Sequence, residues 1–117
     1  MAYAETATLP VIMAIGRWRV RAHSRNDSAP GRISLFLLSG IFTGANEVGT
    51  DLLLVGDIKP QLVAKIIKEF EQTLDQSIRY TIMNDQEFTE RREIGDVFLY
   101  RILEAKHTMI IDQFRLG

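Results

Sequence analysis

Apolar residues follow two rhythms along this chain, and the places where the rhythm changes mark its elements. Ile33–Leu38 (ISLFLL) is almost continuously apolar, which predicts a short strand covered on both faces. Gly40, Gly44 and Gly49 punctuate the connection to a second apolar run, Asp51–Val55. Gly56-Asp57 then turns the chain, and Pro60 stands where the first turn of a helix tolerates its missing N–H. Asp57 is expected to cap that helix or to place a negative charge at its first turn. Leu62, Val63, Ile66, Ile67, Phe70 and Leu74 recur at helical spacing, with Lys65, Lys68, Glu69 and Glu71 on the other face, so the helix should run to about Leu74. Ser77–Met83 returns to period two, with Ile78, Tyr80 and Ile82 opposite Arg79, Thr81 and Met83, predicting a strand with one face more exposed. Asn84 followed by Glu87 is a cap-like start to a short helix through Phe88 and Arg91. Asp96 should cap another helix that buries Val97, Phe98, Ile102 and Leu103, and Thr108–Ile111 closes as a short strand. The order β-β-α-β-α-α-β predicts an α+β fold, with helices packed on a small sheet.

Residues 1–32 read differently, as a basic N-terminal arm preceding a compact body over 33–117. In GRWRVRA, Arg17, Arg19 and Arg21 alternate with Trp18, Val20 and Ala22, the period of a half-buried strand with an arginine face. Such a ribbon can lie against nucleic-acid phosphates, which makes these three arginines the candidate nucleic-acid contacts. A solvated edge strand whose charges discourage edge-to-edge pairing explains the same pattern, and is preferred. Ser24–Gly31 (SRNDSAPG) is loop chemistry and marks the boundary.

Composition narrows the classes. The 117 residues make one domain's worth of chain, and 46% hydrophobic with 25% charged is globular rather than disordered. There is no cysteine, hence neither a disulfide framework nor a thiolate ligand or nucleophile, which fits a cytoplasmic protein. The net charge of −1 hides an asymmetry: residues 1–32 hold five arginines against two acids, and the rest holds nine basic and thirteen acidic residues. No apolar run reaches the roughly 18 residues that span a bilayer, so no membrane partner is expected.

The glycines do not form a phosphate loop. SGIFTGANEVGT lacks the Gly-Lys-Ser/Thr ending, and its spacing does not match the dinucleotide fingerprint. A pair of carboxylates at i and i+2 of a strand could bridge two divalent cations, but Asp51 has Gly49 on one side and Leu53 on the other. An aspartate opening a strand after Gly-Thr also has the pattern of a turn acid satisfied by backbone N–H groups, and this reading is preferred to a ligand role.

The run LSGIFTGANEVGTDLLLVGD, the helix after it, the IRYTIM strand and EFTERREIGDVFLYRILEAKHTMIID together resemble the minimal nucleotidyltransferase domain of the polymerase-beta-like fold. The likeness is greatest to the divergent version attached to winged-helix transcriptional regulators, and it covers about Ile33 to Asp112. It implies a small mixed sheet with helices packed on it, a nucleotide-binding role for Ser39 and Gly40, and a metal-ligand role for Asp51. Active members of that family carry Gly-Ser at the end of the first strand, two acids on the second and a third acid on a later strand. Here the order is Ser39-Gly40, Gly49 occupies the first acid's slot, and Ile78–Met83 contains no acid. The resemblance therefore implies a degenerate, catalytically inactive domain with no catalytic residue assigned. Its roles would be regulatory or binding, with nucleotide or DNA as partner and a link to transcription. The alternative is a metal-dependent transferase moving NMP from an NTP, for which Mg2+ would be the cofactor. Residues 1–32 lack the helical periodicity of a winged helix, so DNA contact on this chain falls to the arginine ribbon. Self-association is a further expectation, because so small a sheet has edges to cover.

Overall fold

The computed structural model describes residues 31–45 and 47–116, so the arginine ribbon at Arg17, Arg19 and Arg21 lies outside the described residues. At its centre β1 (Gly31–Leu38) runs antiparallel to β2 (Leu52–Ile58) on one side and to β4 (Thr108–Asp112) on the other. A fourth strand, β3 (Tyr80–Met83), pairs parallel to β2 and gives the mixed order β3-β2-β1-β4. Three helices complete the α+β fold: α1 (Pro60–Leu74), α2 (Asp85–Glu93) and α3 (Val97–Glu104). A 3-10 turn, Gly40–Phe42, follows β1.

Both faces of the two central strands are covered, as their unbroken apolar sequence requires. Phe36, Leu38, Leu52 and Leu54 pack with Val63 and Ile67 of α1. Leu35, Leu37, Leu53 and Val55 pack with Phe88 of α2 and with Leu99 and Ile102 of α3. All eight strand side chains are fully buried. At about 1.5–3 kcal/mol for each buried side chain of this size, they form the main attractive term in the fold.

Two bulges adjust the pleat. Ile33 stands opposite Gly56 and Leu35 opposite Val55, which leaves Ser34 as an extra residue on β1. A matching slip on β4, where Ile111 faces Phe36 and Met109 faces Leu37, leaves Ile110 extra. Each bulge turns a neighbour toward α1: Ile33 and Phe36 share that face although three residues apart, as do the adjacent Ile110 and Ile111.

The helix starts are set by side chains. Asn84 Oδ1 accepts from Glu87 N at 2.7 Å, and Asp96 Oδ2 accepts from Leu99 N at 3.2 Å, as the cap patterns predict. Asp57 departs from expectation. It belongs to β2, exposed and opposite Arg32, while Lys59 is the N-cap residue of α1 and makes no side-chain cap bond. The fixed φ of Pro60 starts this helix without a capping acid. At the other end Asp75 takes the left-handed conformation at φ 52°, and Asp75 N and Gln76 N both donate to Glu71 O.

Other expectations shift too. β1 begins at Gly31, so Arg32 is part of the sheet. β3 is limited to Tyr80–Met83, since only there does it pair with β2. Val97 is 61% exposed, and Leu99 replaces it in the core. Val97 faces outward because the axis of α3 is fixed by Leu99 and Ile102. No helix among the described residues is long and apolar enough to cross a membrane.

Candidate functional site

The end of β1, the start of β2 and the approach to β3 meet at one buried carboxylate. Leu38 pairs with Leu52, and one step further Ser39 N donates to Asp51 O at 2.9 Å. That pairing puts Ser39 and Asp51 side by side, and the 3-10 turn then brings Gly40 over the Asp51 side chain. Gly40 has φ +51°, and a Cβ added there would overlap Asp51 Oδ1. Glycine is required here twice over, by conformation and by space. The structure thus brings Ser39, Gly40 and Asp51 together.

Four donors converge on the Asp51 carboxylate, which is 1% exposed. Oδ1 accepts from Ile41 N at 3.0 Å and from Arg79 Nη2 at 2.9 Å. Oδ2 accepts from Arg79 N at 2.8 Å and from Arg79 Nε at 3.3 Å. One arginine therefore grips the acid through its backbone and its guanidinium. Hydrogen bonding to Asp51 raises the Arg79 pKa above its ordinary value against the opposing effect of burial, so the guanidinium keeps its charge.

The surrounding backbone is tied down separately. Asp51 N and Leu52 N both donate to Arg79 O, at 2.8 and 3.1 Å. Thr50 Oγ1 accepts from Thr81 Oγ1 at 3.0 Å and lies within donating reach of Leu52 O. Thr43 Oγ1 donates to Lys106 O at 2.7 Å, fastening the turn to the segment before β4. Ser39 is fully buried, and its Oγ has no hydrogen-bond partner among the described residues.

This arrangement does not fit Mg2+. A hard cation needs several oxygen ligands, and the Asp51 oxygens are both engaged by N–H donors. Freeing them would leave the Ile41 and Arg79 amides without the acceptor they now share, a carboxylate that is itself almost fully buried. Among the described residues no group of three or more His, Cys, Asp and Glu could hold a metal ion. Gly49, in the slot of a second acid, is exposed and faces the Phe98 ring. Bonded in this way, the Asp51 carboxylate serves as an acceptor for backbone and guanidinium N–H groups of its own fold.

Arg79 is the member of the site that sequence reasoning missed. A buried aspartate without a neighbouring acid has to find a cation or several amides. The chain has fourteen lysines and arginines, and nothing in their spacing singles out the one immediately before β3. No family model, curated protein or solved structure matches this chain.

Proposed function

We propose that this chain is a degenerate nucleotidyltransferase-like domain that acts in the cytoplasm as a regulatory or binding module rather than as a metal-dependent transferase. The observation that carries the non-catalytic reading is the state of Asp51. The one acid left at the candidate site is buried and bonded to two backbone amides and the Arg79 guanidinium. Phosphoryl transfer of this type depends on cations that bridge carboxylates and phosphate oxygens, and here the carboxylate serves the fold. The position of Ser39-Gly40 at the end of the central strand, beside Asp51, supports the nucleotidyltransferase-like part of the reading. The link to transcriptional regulation, with nucleotide or DNA as partner, comes from family resemblance and is an analogy of fold.

The test is nucleotide transfer from an NTP labelled at its α-phosphate, with Mg2+ or Mn2+, using the wild-type chain and Asp51→Asn. Both should give background incorporation. Divalent-dependent transfer by the wild type that Asp51→Asn abolishes, with both proteins folded by circular dichroism, would establish the transferase instead.

A further inference from the structure

The two backbone amides that donate to Asp51 are held in place by bonds that do not involve its side chain, and the half-exposed Arg79 guanidinium closes over it. The Ile41 amide projects from a turn closed by Phe42 N to Ser39 O at 3.0 Å and Gly44 N to Gly40 O at 2.8 Å. The Arg79 backbone is fixed because its carbonyl accepts from Asp51 N and Leu52 N. Ser39 N is bound to Asp51 O, again main chain to main chain. Gly40 supplies the space by having no Cβ where the carboxylate lies. Two amides and two guanidinium N–H groups around one small volume form a preorganised receptor for a carboxylate-sized anion.

We propose that this cradle is an oxyanion site whose resident ligand is the protein's own Asp51 carboxylate, and that a small carboxylate from solution replaces it when that side chain is shortened. The anion occupies the cradle permanently because it is part of the chain, and a phosphate oxygen meets a filled, negatively charged site there. Access for a replacement is through Arg79, whose side chain is 49% exposed although the acid it holds is 1% exposed. The proposal does not depend on whether the chain transfers nucleotides, and its test reads anion binding alone.

Asp51→Ala removes a group the size of formate and leaves all four donors. The measurement is thermal unfolding of the full chain, followed by circular dichroism, in sodium formate and in sodium chloride of equal ionic strength. At formate about ten times its Kd, the Tm of Asp51→Ala should rise by about 6–11 °C above its value in chloride and go on rising with the logarithm of the formate concentration. The wild type should melt alike in both salts, and adding Arg79→Met to Asp51→Ala should remove the formate response. If Asp51→Ala does not fold in chloride, the folded signal should return in formate, and failure to return overturns the proposal. An equal response of Asp51→Ala to formate and chloride overturns it too, as does a formate response that survives Arg79→Met.

Discussion

Replacing Asp51 by alanine removes the acceptor shared by two parts of the chain, the turn at Ile41 and Arg79, and the structure sets the size of the loss. The amides of Ile41 and Arg79 each lose a bond to a charged oxygen, worth about 1.5–3 kcal/mol apiece. The Arg79 guanidinium loses its partner too, but it is half-exposed and recovers water, so its share is about 1 kcal/mol or less. The net expectation is a destabilisation of about 3 kcal/mol, at the low end for breaking a buried ion pair because the remaining cation faces solvent. For a domain of this size that lowers Tm by about 12–24 °C. Asp57→Ala is the control: an acid near the far end of β2, exposed, whose removal should change stability by about 0.5 kcal/mol or less. Urea unfolding of the three proteins measures the difference, read as a shift in midpoint at constant slope. If Asp51→Ala unfolds within about 1 kcal/mol of Asp57→Ala, the carboxylate is not an anchor of the fold and its bonds to N–H groups do not keep it from a ligand role.

Two further outcomes follow from the same geometry. Gly40→Ala and Gly44→Ala both place a Cβ at positive φ, +51° and +83°, but only at Gly40 does it meet other atoms, with Thr50 O 3.0 Å away and the Asp51 carboxylate closer still. Gly44→Ala should cost about 1–2 kcal/mol of left-handed strain, and Gly40→Ala at least about 2 kcal/mol more, measured by urea unfolding; equal losses would contradict the close packing. Asp85 provides a pH readout. Burial alone would raise its pKa, but hydrogen bonds from Arg32 and Ser34 and the Arg32 charge outweigh it and lower the value. A depressed carboxylate pKa stabilises the fold above the unfolded value of about 3.9 and ceases to do so as pH falls through the folded value. The stability advantage of wild type over Asp85→Asn should therefore shrink on acidification below about pH 4, and an advantage that is constant or grows would refute the assignment.

The elements were legible wherever one residue class dominated a window. The apolar runs of β1 and β2, the helical stripe of α1, and the Asn84 and Asp96 caps are local signals and needed no partner to be read. The misplacements occurred where a neighbour decides. Asp57 has the residue type of a helix cap, but strand pairing with β1 extends to Ile58 and carries it past the cap position. Val97 is apolar, yet the axis of α3 is set by Leu99 and Ile102, which turns it outward. At the site, the sequence placed Ser39, Gly40 and Asp51 in one stretch and favoured a turn acid over a ligand. It gave no sign of Arg79, which lies 28 residues from Asp51 and reaches it only because β3 is laid parallel to β2.

The amino-acid sequence by itself determined the element types, the α+β class and the shortage of acids, because each follows from residue identity and spacing over a few positions. The tertiary structure decided what the remaining acid does. A single aspartate is chemically able to ligate, to cap or to pair, and sequence cannot rank these, since the choice depends on which donors come within about 3 Å of its oxygens. Here the turn at Gly40 and the entry to β3 bring those donors together, and every one of them is an N–H.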